Sequence, residues 1–132
     1  MAGVIKGFLV DVYNTKKSRV VEFEDTLENI YKLLDVSLID VTERKIGDYV
    51  YDIVCDDEGL FRSDCLPSAY DSVLRPQLVG NLLFVNHDAE GDFASLSEEQ
   101  IKNLNENLFT AIIADANDNM TNYQALKGVE YV

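Results

Sequence analysis

Apolar and polar positions alternate at the start of the chain. Over residues 5–13, Phe8, Val10 and Val12 share one side, and Leu9, Asp11 and Tyr13 share the other. A period of two predicts a strand. The polar run Asn14-Thr15-Lys16-Lys17 supplies a turn, and residues 18–24 set Val21 and Phe23 against Glu22 and Glu24. Two such strands around a polar tetrapeptide predict a hairpin. The period then lengthens. Asp25-Thr26-Leu27-Glu28 reads as a capping box, and Leu27, Ile30, Tyr31 and Leu34 follow at helical spacing. This helix is expected to end near Asp35.

Alternation returns over residues 36–45, and Ile46-Gly47-Asp48 turns the chain. Residues 49–55 read as a strand with Tyr49, Tyr51, Ile53 and Cys55 on one side. Asp57-Glu58-Gly59 predicts a turn, and Leu60-Phe61-Arg62 a short strand beyond it. Residues 63–77 hold both prolines, Pro67 and Pro76, and read as irregular, with at most a helical turn over 68–72. Residues 78–86 are the most apolar stretch and suit one buried central strand, weakened at Gly80 and Asn81. An acidic loop follows over 87–94. Ser97-Glu98-Glu99-Gln100 is a capping box, flanked by Leu96 and Ile101 as a hydrophobic staple. Ile101, Leu104 and Leu108 form the helical stripe, and the helix is expected to run through Ile112 to about Ala114.

The element order predicts an α+β fold: a mostly antiparallel sheet of about five strands with two helices packed on one face. A single domain over residues 1–114 is expected. Residues 115–132 are Asn-rich and read as a marginally ordered polar tail, with an edge strand or a loose end over 129–132.

Composition then adds a charge layout. The chain has 132 residues, with 24 acids against 11 bases and a net charge of −13. Hydrophobic residues make up 47%, which is globular rather than disordered. Residues 1–47 hold 8 acids and 7 bases, whereas residues 48–132 hold 16 acids and 4 bases. Two clusters stand out in the second part: Asp48, Asp52, Asp56, Asp57 and Glu58, then Asp88, Glu90, Asp92, Glu98 and Glu99. They read either as a solvated face that aids solubility or as a surface for a basic partner. The balance argues against gripping nucleic acid or anionic lipid through a basic surface. No apolar run is long enough to span a membrane, and the amino terminus lacks the pattern of a secretory signal, so a cytoplasmic protein is expected. Self-association is left open.

Candidate chemistry is sparse. Asp115, Asn117 and Asn119 match positions one, three and five of a calcium loop. Met120 stands where the loop needs Gly, and Leu126 where it needs a bidentate Glu. His87, the one histidine, lies beside Asp88, Glu90 and Asp92, which favour its charged form, but it lacks a paired nucleophile. Cys55 and Cys65 lack metal or redox spacing and read as reduced thiols or as one short-loop disulfide. No glycine-rich phosphate loop is present. Tyr13, Tyr49, Tyr51, Tyr70 and Tyr123 read either as half-buried sheet residues or as the lining of a pocket. No catalytic residue, cofactor or metal is therefore expected, and the chain reads as a binding protein rather than an enzyme.

One family resemblance draws on several of these segments. It rests on the opening strand, Thr26-Leu27-Glu28-Asn29-Ile30, the run from Tyr51 to Leu60, and Leu66-Pro67. Val79-Gly80-Asn81-Leu82-Leu83-Phe84-Val85, Gly91-Asp92-Phe93 and Ser95-Leu96-Ser97 complete it. Over about residues 8–108 the chain resembles DUF 3846, a domain of unknown function. The resemblance implies a small phage or mobile-element accessory protein and transfers no catalytic residue. In that context the acidic surface suggests an inhibitor of a basic, nucleic-acid-handling or defence protein of the host. A small-molecule or nucleotide-signal binding protein, a sponge, is the alternative, and a phosphate ligand requires Arg62, Arg75 or Lys16, Lys17 and Arg19 to converge. An assembly protein with a solubilising surface is a further one. Mimicry of duplex DNA sets a stricter condition. A domain this size spans about 36 Å, over which a duplex carries about 21 charges. The acids would have to gather on one face.

Overall fold

A computed structural model describes residues 3–61, 65–114 and 117–132. The predicted hairpin forms as β1 (Val4–Val10) and β2 (Ser18–Glu24), with Val4 opposite Glu24 and Val10 opposite Ser18. A second hairpin joins β3 (Ile39–Ile46) to β4 (Tyr49–Asp56) through Gly47 and Asp48. Gly47 takes φ +60°, which favours glycine, and a Cβ there would push against the Asn103 side-chain oxygen 2.8 Å away.

These strands belong to a seven-stranded sheet. Between β4 and β1 runs β7 (Leu82–His87), and β11 (Val129–Tyr131) lies outside β3. The path is β11-β3-β4-β7-β1-β2, and the two-residue β8 (Phe93–Ala94) pairs with β7. Every pairing in this sheet is antiparallel.

A four-stranded sheet stacks on it. It is formed by β5 (Pro67–Tyr70), β6 (Pro76–Val79), β9 (Leu108–Ala114) and β10 (Met120–Leu126), in the order β6-β5-β10-β9. Among the described residues, only β5 and β10 run parallel, with Leu126 beside Ala69.

The α+β class and the mostly antiparallel pairing are as the sequence pattern predicts. The strand count is not: among the described residues, eleven strands form two sheets, in place of about five in one. Four local causes account for the difference. Residues 78–86 do not form one strand, because Gly80 at φ +76° breaks the run and passes the chain from β6 to β7. Residues 63–77 hold β5 and the start of β6 rather than an irregular stretch with a helical turn. A proline opens each of these strands, where its missing N–H is tolerated. The second helix ends at Glu106, and the β-branched run Thr110, Ile112 and Ile113 enters β9. The segment read as a polar tail carries β10 and β11, with Tyr123, Ala125, Leu126 and Val129 buried. Gly59–Phe61 forms a short 3-10 turn in place of the expected strand, whose third residue, Arg62, lies outside the described residues.

The helices sit on opposite faces of the large sheet, not on one. Strand neighbours point to alternate faces. Leu9, Val54, Leu83 and Val85 pack with Ile30 and Leu34 of α1 (Leu27–Leu34). Phe8, Val10, Ile53 and Phe84 pack with the second sheet and with Leu104 of α2 (Glu98–Glu106). Thr26, rather than Asp25, caps α1, and its hydroxyl accepts from the Asn29 N–H at 3.2 Å. The Ser97 capping box forms as expected, with the Gln100 N–H donating to the Ser97 hydroxyl at 3.1 Å.

Two buried polar groups fasten these layers. Asn81, at the strand crossing, accepts from Val12 N–H at 2.8 Å and donates to the Leu34 carbonyl at 3.2 Å. It thereby joins the end of β1 to the end of α1. The Tyr51 hydroxyl donates to the Gln100 carbonyl at 2.7 Å and accepts from Asn103 at 3.0 Å, which ties α2 to β4. Burial pushes the Tyr51 phenol up to about 12, so it remains a donor.

Candidate functional site

The ten acids singled out in the sequence do not form one array. Adjacent antiparallel strands place the end of β7 beside the start of β4. Asp48 in the β3–β4 turn and the Asp88, Glu90 and Asp92 loop therefore lie toward one end of the sheet. Glu98 and Glu99 join them through α2, because Gln100 in the same turn hydrogen-bonds Val50 and Asn86. Asp56 ends β4 at the opposite end, and Asp57 and Glu58 follow it. The eight residues of β4 separate the two groups by about 25 Å at ~3.3 Å per residue. Asp52 belongs to neither group: it is buried in mid-strand.

Local geometry explains the first group. The Asp88 carboxylate accepts from the N–H groups of Glu90 and Asp92, each at 3.0 Å, and so shapes its own loop. Burial and the nearby Asp92 raise the Asp25 carboxyl above its ordinary range. This end of the sheet is therefore crowded with negative charge.

The second group borders a cleft of about 860 Å³ between α1 and the end of β4. Glu28, Lys32 and Asp35 line it from the helix side, and Asp56, Glu58 and Phe61 from the strand side. Tyr31 also faces it. Lys32 lies 3.2 Å from Glu28, which leaves Asp35, Asp56 and Glu58 as an excess of carboxylates. Phe61 is 87% exposed, an unusual position for an apolar ring. Carboxylates and aromatic rings lining one cleft suit a guanidinium or ammonium group, which rings attract through their faces.

Sequence reasoning singled out Asp56 and Glu58 but not their cleft partners. One signal was available, since Glu28, Tyr31, Lys32 and Asp35 recur at helical spacing on the side of α1 away from Ile30 and Leu34. Their approach to Asp56 is set by the fold.

His87 lies elsewhere, on the part of the large sheet that α1 leaves open. Its Nδ1 is 2.6 Å from a carboxylate oxygen of Asp52. Hydrogen bonding and charge attraction from Asp52 raise the His87 pKa above its ordinary value. Glu43 stands directly opposite Asp52 in the β3–β4 register.

The remaining candidates sit in structural roles. Tyr51 and Tyr123 are core residues, and the Tyr123 hydroxyl donates to the Pro67 carbonyl at 2.7 Å. No disulfide joins Cys55 and Cys65, and burial pushes the Cys55 thiol up to about 11, an unreactive state. The calcium-like run begins at Asp115, outside the described residues, and its sixth to twelfth positions are strand β10. Among the described residues, no helix is long and apolar enough to cross a membrane.

Comparison with known proteins adds the family. The family model for the domain of unknown function DUF3846 matches residues 5–109, so the chain belongs to that family. The match ends inside β9, leaving β10 and β11 beyond it. No curated protein and no solved structure matches the chain.

Proposed function

We propose that this member of DUF3846 is a non-enzymatic, cytoplasmic accessory protein of a phage or mobile element. It binds and inhibits a host protein by taking a basic segment of that protein into the cleft between α1 and β4. The reading rests on one observation: Glu28, Asp35, Asp56 and Glu58 share that cleft with Tyr31 and Phe61. The separation of the acids into two groups supports docking of a local segment over imitation of a DNA duplex, which needs a continuous array.

The cations weigh against the nucleotide-sponge alternative. Arg75 is bonded to Asp71 at 2.8 Å and Arg19 lies 3.8 Å from Asp11, so each has a carboxylate competing with a phosphate, while Lys16 and Lys17 line a shallow groove beside Thr110 and Gln124. Arg62 lies outside the described residues.

Affinity purification from the native host, repeated over a range of salt, tests the proposal. The screening length shrinks from ~10 Å at 0.1 M to ~3 Å at 1 M salt, so a complex held through this cleft dissociates steeply as salt rises. The double variant Asp56→Asn, Glu58→Gln should lose the partner while remaining folded. A partner that is insensitive to both salt and this variant overturns the proposal. So does a folded chain with no salt-sensitive partner, which would leave the acids a solubilising role.

A further inference from the structure

We propose that Glu43, Asp52 and His87 form a binding site for a zinc-class divalent ion on the open face of the large sheet. The three side chains come from adjacent strands, β3, β4 and β7. Glu43 is the direct cross-strand partner of Asp52, and Asp52 pairs with Val85, two residues before His87. Strand alternation therefore places all three donors on one face. One donor atom from each lies within 4.8 Å of the other two.

The spacing suits a metal. Two ligands at about 2.1 Å from a tetrahedral ion stand about 3.4 Å apart. The His87–Asp52 contact, a hydrogen bond at 2.6 Å, has to open by about 0.8 Å to reach that distance, and the three donors already lie within 4.8 Å of one another. Small side-chain rotations supply the change, because Glu43 is exposed and the His87 side chain is 52% exposed. Asp52 is the fixed member, with its side chain only 11% exposed in a ladder paired on both sides.

The donor set selects the metal. Two carboxylates and an imidazole suit zinc and its first-row neighbours, whereas calcium and magnesium prefer oxygen donors alone. Three protein donors leave a fourth position of a tetrahedral ion to solvent. The Asp88, Glu90 and Asp92 loop is the natural control, since its carboxylates also lie within 4.8 Å of one another but lack an imidazole.

The test is titration of chelator-treated protein with zinc by calorimetry and with cobalt(II) by visible absorption. The expected result is one saturable equivalent of zinc and a cobalt spectrum of low coordination number. His87→Ala and Glu43→Gln, both at accessible positions, should each weaken binding at least tenfold. Circular dichroism checks that these variants remain folded. The triple variant Asp88→Asn, Glu90→Gln, Asp92→Asn should bind as the parent does. The assignment is overturned by absence of saturable binding, by binding unchanged in both single variants, or by loss of binding in the loop variant alone.

Discussion

The two faces of the large sheet are made from alternate residues of the same strands, yet they are finished differently. On one face Phe8, Val10, Ile53 and Phe84 lie under a second sheet and α2. On the other, Leu9, Leu83 and Val85 lie under α1, a helix of eight residues. That helix is too short to cover the whole face. Val41 and Val50 remain 44% and 41% exposed beyond it, alongside Glu43 and His87. The closed face holds the larger buried cluster. The open one keeps polar and ionisable side chains accessible in a rigid frame, which suits binding.

This contrast can be broken by mutation. The largest effect is expected for Phe84→Ala on the closed face, where the ring packs edge-on against Tyr51 at 5.8 Å between centroids. A cavity there should cost about 3–5 kcal/mol, read from the urea midpoint. Asn81→Ala comes next. It strands the buried Val12 N–H and Leu34 carbonyl, and about 2–3 kcal/mol of stability should be lost. A near-neutral result would show that the crossing between the sheets does not depend on this side chain.

The third prediction concerns pH. Asp11, at the end of β1, is buried, which alone would raise its pKa. Hydrogen bonds from Asn14, Thr15 and Tyr13 outweigh burial and hold it below the ordinary 3.8. A carboxyl lowered on folding adds stability above its unfolded pKa, and this is lost as pH falls through the folded value. Asp11→Asn should therefore destabilise by about 2 kcal/mol at neutral pH. The gap between variant and parent should close below about pH 4, seen in urea melts across that range. The smallest effect belongs to the open face. Val50→Ala should change stability by under ~0.5 kcal/mol. A loss as large as that of Phe84→Ala would mean that the open face is covered in solution, by another copy or by a partner.

Legibility in the sequence followed the range of each interaction. The hairpin of β1 and β2, the strand β4 and the Ser97 box were readable because their signals lie within a few residues. The start of α1 was misplaced by one residue, since Asp25 and Thr26 are both suitable caps and only geometry chooses between them. The second sheet was largely missed. Its strands β5 and β6 have four residues each, and the parallel pairing of β5 with β10 joins distant parts of the chain. The cleft and the His87 group failed for the same reason, because each assembles side chains from separate elements.

The sequence by itself determined the α+β class, the family and the concentration of acid after residue 47. Period, capping and composition are properties of neighbours along the chain, and they need no register. Tertiary structure alone decided that the helices take opposite faces, that the acids part into two groups, and that Glu43, Asp52 and His87 meet. Those outcomes depend on strand order and register, which are fixed by burying both faces of the sheet at once.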